Sequence, residues 1–323
     1  MSSLPAVFLL PGKKHVFEEI IMPGSLLFKQ DKLVISDKSE NGYLSHIIDT
    51  DSWKYLYPMG VIGYGPGETP SVWAIESGLD PDYFWTYSLT AKTFSQYPLK
   101  ETPEKLAVRQ IKQKEDFFLA MGLTWSSDST MMTYLVRGED KFVEFKIDGT
   151  RLKGYGKWKN TIPGNYSDEI IASLHKGKLM GNPKTNKFLK ACILRDHLEI
   201  LDKMSGVIIS IDGPLSHIPQ FKVAGSAGNQ SPIVQSDQPL AYMDAFLGDD
   251  FLFGLYSGKT DQEIMELGRG ETEIFVFDLN GEVRALFNLD TPISAFTVDE
   301  ANKRIFGITV DKDPGVVVFD YNL

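Results

Sequence analysis

Short apolar runs that alternate, stop at a polar residue, turn and begin again recur along the whole chain. Six of them read HIIDTDSW (46–53), TYSLTAKT (86–93), EFKIDGTR (144–151), EILDKMSG (199–206), IFVFDLNGE (274–282) and VFDYNL (318–323). Between them lie further β-branched and aromatic runs at 32–36, 71–75, 131–136, 251–256, 304–309 and 316–320, each with the period of two that puts alternate side chains on opposite faces of a strand. Helical periodicity is scarce: residues 103–114 and 261–267 are the two segments that suit a helix, both short and polar. Asp148-Gly149 and Asn280-Gly281 are dipeptides that accept positive φ and so favour tight hairpins. Strands joined by hairpins predict an all-β chain, and repetition at this scale predicts a ring or stack of small sheets.

Aligned on the polar residue that ends each run, the repeats have anchors at Asp49, Ser88, Lys146, Asp202, Asp278 and Asp320, separated by 39, 58, 56, 76 and 42 residues. A four-stranded propeller blade takes about 40 to 50 residues, so six anchors predict a six-bladed β-propeller, one blade carrying a long insertion. After 293–298, 304–309 and 316–320 the chain stops, which leaves the last blade three strands and an open edge. An unpaired edge exposes a row of backbone donors and acceptors. The N-terminal runs at 6–10 and 15–21 are available to cover it, so residues 5–22 are expected to pair with the C-terminal blade and close residues 1–323 into a single domain.

The most distinctive local string is Gly60-Val-Ile-Gly-Tyr-Gly-Pro-Gly-Glu68. Gly63, Gly65 and Gly67 could let backbone N–H groups approach a phosphate. However, Pro66 removes a donor, Glu68 occupies the position of the last glycine in Gly-x-Gly-x-x-Gly, and no Lys-Ser/Thr follows. The string reads better as a rigid structural loop between blades, with Glu68 bonding backbone. Together with the runs that end in Asp and a turn, and with the C-terminal Pro-Ile-Ser-Ala-Phe-Thr-Val-Asp-Glu…Arg-Ile-Phe-Gly…Val-Val-Val-Phe-Asp-Tyr, it resembles the TolB-like six-bladed β-propellers found among bacterial envelope lipoproteins. The resemblance implies a propeller at the periplasm or anchored to the outer membrane, with a leader absent from this sequence. It carries over no catalytic set, and a cytoplasmic location stays open.

Charge and composition narrow the partners. The chain has 323 residues, 42% apolar, with a formal charge of −10; that balance and the lack of a basic run argue against nucleic acid. Residues 6–10 are an apolar run broken by Pro11, too short for a membrane span, and a monomer is the expected state. Cys192, the single cysteine, sits in an apolar run and reads as an inert buried thiol.

No motif names a catalytic residue, a metal ligand or a cofactor. Asp311-Lys-Asp-Pro-Gly315 begins like a calcium loop but lacks its later ligands, so it reads as a hairpin tip, and calcium is the one metal left open. The histidines, 15, 46, 175, 197 and 217, are dispersed. Asp249-Asp250 suits a turn or a cation contact. Trp73, Trp85, Trp125 and Trp158 are expected in blade packing; Trp125, followed by Ser126-Ser127-Asp128-Ser129, is the one best placed to reach a partner. Ligand contacts are therefore expected at Trp125, Asp128, Asp249 and Asp250. The segment 216–238, rich in Gly, Ser, Pro and Gln, is expected to form a loop over one face. The leading expectation is a non-enzymatic propeller binding a protein, peptide or glycan. A metal-dependent hydrolase or lactonase with its site in the central funnel and an architectural subunit of an envelope complex are the alternatives.

Overall fold

The computed structural model describes residues 5–39, 42–158, 162–213, 218–226, 229–268 and 270–323. In chain order the strands are β1 (Ala6–Leu10), β2 (Gly12–His15), then β3 (Pro23–Lys29), β4 (Lys32–Asp37), β5 (Tyr43–Asp49) and β6 (Lys54–Val61), which form the first blade. The second blade is β7 (Ala74–Glu76), β8 (Tyr83–Ser88), β9 (Thr93–Pro98) and β10 (Arg109–Lys112). The third is β11 (Ala120–Trp125), β12 (Thr130–Leu135), β13 (Asp140–Lys146) and β14 (Arg151–Lys157); a helix α1 (Asp168–Leu174) precedes the fourth, β15 (Gly177–Asn182), β16 (Lys187–Cys192), β17 (His197–Asp202) and β18 (Ile208–Asp212). A two-stranded hairpin, β19 (Phe221–Ser226) and β20 (Asn229–Val234), leads to β21 (Tyr242–Leu247), β22 (Phe251–Tyr256), helix α2 (Asp261–Leu267), β23 (Glu271–Asp278), the 17-residue β24 (Val283–Asp299), β25 (Arg304–Thr309) and β26 (Val316–Asp320).

β24 makes the last two blades one continuous sheet. Its first half pairs with β23 as the outer strand of blade 5, and its second half pairs with β25 as the innermost strand of blade 6. Four separate four-stranded sheets and this double one give six blades, an all-β six-bladed propeller.

The N-terminal strand completes the last blade: β2 lies antiparallel on β26, from Gly12 opposite Phe319 to His15 opposite Val316. β1 takes a different place, running parallel to the first half of β24 as a fifth strand on blade 5. The switch occurs at Pro11-Gly12, where Asp290 accepts the Gly12 N–H at 2.9 Å. A side chain at Gly12 would collide with Val317 and Phe319, at 2.5 and 2.6 Å from an added Cβ. Residues 16–22 leave the sheet and bury Phe17 and Ile20 against Leu33, Ile48 and Phe306.

Six apolar cores occupy the six gaps between neighbouring blades, from the Val34, Tyr57, Phe84 and Tyr97 cluster between blades 1 and 2 to the Phe17, Leu33, Phe306 and Val316 cluster that joins blade 6 to blade 1. A seventh cluster lies outside the ring. Ile170, Ile171 and Leu174 of α1 pack with Trp158, Phe221 and Val234, so the connections into blades 4 and 5 fold onto each other. The segment expected as a loop at 216–238 contains this hairpin; residues 216, 217, 227 and 228, and with them His217, lie outside the described residues.

One predicted helix, 261–267, is α2. The other, 103–114, is instead extended and supplies the outer strand β10. Its polarity reflects an edge strand with exposed Arg109, Gln110 and Lys112, not a helix surface.

Candidate functional site

The innermost strands β3, β7, β11, β15, β21 and the second half of β24 surround a channel of about 500 Å³. That size falls within the range of small-ligand sites. Its wall is mostly apolar, with Leu27, Ile75, Leu123, Leu179, Met243 and Phe246 among the lining residues, and Trp73 stands at the wall 38% exposed.

Two charged side chains, Glu76 and Lys178, line this wall, and a third, Asp244, lies buried behind it. Glu76 ends β7, and burial pushes its carboxyl up to about 8, against the opposing pull of the Lys178 ammonium and of bonds from the Thr124 side chain and the Trp125 backbone. Lys178, second residue of β15, reaches Asp244 of β21 at 3.1 Å. That carboxylate raises the lysine above its ordinary value, outweighing burial. Asp244 is itself fixed, accepting the backbone N–H of Phe296 at 2.9 Å and of Ala245 at 3.0 Å. Lys178 is therefore a permanent cation at neutral pH, suited to electrostatics and unsuited to act as a base or nucleophile. Glu76 is a carboxyl that is largely protonated at rest and can gain or lose its proton near neutrality.

Polar clasps join the blades at the face where the innermost strands end. The Lys29 ammonium, at the end of β3, sits among the carbonyl oxygens of Ser77 (2.6 Å), Asp80 (2.6 Å) and Tyr83 (2.8 Å) in blade 2. Desolvation there draws it down to about 8, although Asp80 and Asp82 oppose the shift. Lys203 of blade 4 bonds Ser126 (2.7 Å) and Glu144 (2.6 Å) of blade 3. Asn182 of blade 4 donates to Asp249 of blade 5 at 2.8 Å, and Lys184 pairs with the same carboxylate. The Glu300 carboxylate of blade 6 accepts the backbone N–H of Asp249 at 2.5 Å and of Phe251 at 3.3 Å.

These contacts account for most of the residues singled out from sequence. Asp249 and Asp250 form the β21–β22 turn, where Glu300 caps the backbone. Asp128 is exposed in the β11–β12 turn of the same face. Trp125 is 4% exposed and packs on Trp85, with ring centroids 5.2 Å apart, in the core between blades 2 and 3; part of it lines the channel. The glycine string closes on itself, for Glu68 accepts the Gly65 N–H at 2.8 Å and Gln110 donates to the Glu68 carbonyl at 2.8 Å. Gly67 adopts φ +77°, and a Cβ there would meet Leu106 and Ala107. Among the described residues no three His, Cys, Asp or Glu side chains converge as a metal site, and no helix is long and apolar enough to cross a membrane.

Glu76, Lys178 and Asp244 escaped the sequence reading because no spacing links them. Each does carry a local signal: a lone charge inside an apolar run (Val-Trp-Ala-Ile-Glu, Gly-Lys-Leu-Met, Tyr-Met-Asp-Ala-Phe) at the start of a blade.

Outside the channel, a second charged group lies between blades 3 and 4. Lys190 and Glu199 are fully buried 2.6 Å apart, Lys141 also pairs with Glu199, and the Lys190 ammonium lies over Trp158 at 4.2 Å and Phe142 at 5.1 Å. Glu199 is thereby shared by two ammonium groups inside the protein. Cys192 is fully buried nearby, and burial pushes its thiol up to about 12.

The family model described as TolB-like 6-blade propeller-like matches residues 10–301. The chain belongs to this family. Among solved structures this TolB-like propeller is similar to a DUF4221 family member from Bacteroides vulgatus, at 11% identity and TM-score 0.61, covering all of this chain and 97% of the other. A Bacteroides fragilis protein aligns at 8% identity and TM-score 0.56 over 98% and 99% of the two chains, and the WD40 repeats of RRP9 at 8% and 0.53 over 96% and 97%. At these identities the likeness is one of fold. No curated protein is significantly similar in sequence.

Proposed function

We propose that this TolB-like propeller is a non-enzymatic binding protein that receives the end of a protein, peptide or glycan partner in its central channel. The observation that carries this reading is the channel itself: about 500 Å³, walled by all six blades and lined mostly by apolar residues, with Lys178 held by Asp244 and Asp244 by neighbouring backbone. Preorganised polar groups in an apolar cleft favour binding, because little reorganisation is needed when a ligand arrives. Lys178, held as a cation by Asp244, supports recognition over covalent chemistry. The family resemblance adds an envelope location to the proposal, which fractionation of cells expressing the full-length gene tests directly.

A thermal-shift screen of amines, amino acids, short peptides and oligosaccharides tests the binding role. Ligands are expected to raise the melting temperature of the wild type and to lose that effect when Met243→Trp fills the channel. Turnover of esters, lactones or glycosides that collapsed in Glu76→Gln would overturn the reading in favour of an enzyme.

A further inference from the structure

Glu76 lacks a fixed countercharge. The groups that bond it, the Thr124 hydroxyl and the Trp125 backbone, are neutral, and the cation nearest to it, Lys178, is already committed to Asp244. When Glu76 carries its proton the site is electrically balanced, with Lys178 and Asp244 cancelling. When the proton leaves, one negative charge stands unmatched on a wall that also carries Leu27, Ile75, Leu123 and Leu179, and burial there disfavours the ionised form. A cation entering the channel restores the balance. A lone carboxylate offers a divalent ion too few oxygen ligands, among the described residues no further acidic or histidine side chains gather with it, and the apolar residues of the wall reward a ligand that brings hydrocarbon with its charge. Trp73 adds an exposed aromatic ring over which a cation can pass.

We propose that the channel binds a primary ammonium group carried on a slim unbranched chain, with Glu76 as the anion that receives it and the apolar wall packing the methylenes. This assignment rests on the channel being the binding site. On binding, the Glu76 O–H bond breaks and its proton passes to solvent, while the carboxylate pairs with the incoming ammonium; no other bond changes. A free alkylamine, a lysine side chain and a peptide N-terminus share this chemistry.

The pH dependence follows from the groups around Glu76. Lys178 lies on β15 with Asp244 behind on β21, Lys29 at the end of β3 is held by carbonyls of the β7–β8 connection and the start of β8, β8 contributes Tyr83 and Tyr87, and β11 contributes neutral side chains only. Glu76 must be ionised to pair, so affinity for an ammonium increases as pH rises from 6 toward 8, by up to about tenfold per unit, and levels off above. Lys29 titrates in the same range, so Lys29→Met serves as the control.

Titration calorimetry of the intact chain with n-hexylamine hydrochloride, 1-hexanol and sodium hexanoate, in two buffers of different ionisation heat, tests the assignment. Hexylammonium is expected to bind at least tenfold tighter than the alcohol or the acid at pH 7, with release of close to one proton. Glu76→Gln is expected to lose tenfold or more and the proton release, while Lys29→Met keeps both. Should Glu76→Gln fail to fold, the pH profiles of the wild type and of Lys29→Met, compared, carry the test. Nα-acetyl-lysinamide and trialanine amide then separate a side-chain source from a terminal one, and binding of either supports the assignment. Hexanol or hexanoate binding as tightly as the amine overturns the ammonium assignment but leaves the channel a binding site. If no probe binds, the ammonium assignment is overturned, and the thermal-shift screen of peptides and oligosaccharides decides the binding role separately.

Discussion

His175 shows how far one residue's state is set by its surroundings. Its Nδ1 lies 2.7 Å from the Ile171 carbonyl at the end of α1 and must donate there, which leaves Nε2 to accept from Arg195 at 2.5 Å. Both ring nitrogens are thereby used in the neutral form. Burial first, and then the charge of Lys190, lower the ring from 6.5 to about 3. Because the folded value is depressed, the unfolded chain binds a proton first: stability is intact above pH 6.5 and falls as pH drops from 6.5 toward 3, by up to about 1.4 kcal/mol per unit. Urea denaturation at pH 7, 5.5 and 4.5 should show this slope, and His175→Gln, whose amide can still donate to Ile171 and accept from Arg195, should flatten it. His15 is shifted the same way by burial, so equal slopes in the two proteins would assign the effect elsewhere. Nothing in the sequence marks His175 as a junction, since its partners come from another turn of chain and from α1. Glu76, Lys178 and Asp244 were hidden for the same reason: only the ring brings blades 2, 4 and 5 to one axis.

At the scale of elements the repeats were legible because alternation and turn chemistry are local. Strands 251–256, 304–309 and 316–320 have the bounds the alternation predicts. The anchors were in phase at five blades, where the polar stop ends the third strand, but Ser88 ends the second strand of blade 2. The third strand of that blade ends instead at Pro98, which makes the spacing from Asp49 and to Lys146 more even. The signal failed there because Tyr97-Pro98-Leu99 lacks the Asp that stands at the strand end, or within two residues of it, in the others. Helix α2 was legible for another local reason. Thr260 and Glu263 form a reciprocal capping box, with Thr260 Oγ1 accepting the Glu263 N–H at 3.2 Å and the Glu263 carboxylate accepting the Thr260 N–H at 2.8 Å. No residue of α2 is buried, so the cap holds a helix that packing does not. Thr260→Ala should cost the helix about 1 kcal/mol and speed amide exchange at 264–267, while the global unfolding midpoint stays put. A matching fall in the global midpoint would show that α2 is coupled to the ring.

The ring as a whole depends on a strand taken from the opposite end of the chain. β2 covers the edge of β26, and Pro11-Gly12 lets the preceding residues swing onto blade 5, so one short segment ties blades 5 and 6 from outside while Phe17 and Ile20 bind blade 1. Each blade otherwise touches only its two neighbours through one apolar core, an arrangement in which stability is roughly a sum of unit and interface contributions. Removing residues 1–15 strips β26 of its partner and uncovers Val317 and Phe319 without touching the cores between blades 2, 3 and 4. Hydrogen exchange on the truncated protein should therefore show protection falling first in β25, β26 and the second half of β24, with β12, β13, β16 and β17 retaining theirs, and the urea transition should broaden as the blades unfold in sequence. The polar clasps at the face where the innermost strands end work against that order, since Glu300, Asp249, Asn182 and Lys203 pass contacts from blade 6 back to blade 3. A uniform loss of protection with a sharp transition would mean that these clasps, together with the cores, make the ring unfold as one unit, and that the N-terminal strand is the fastening on which all six blades depend.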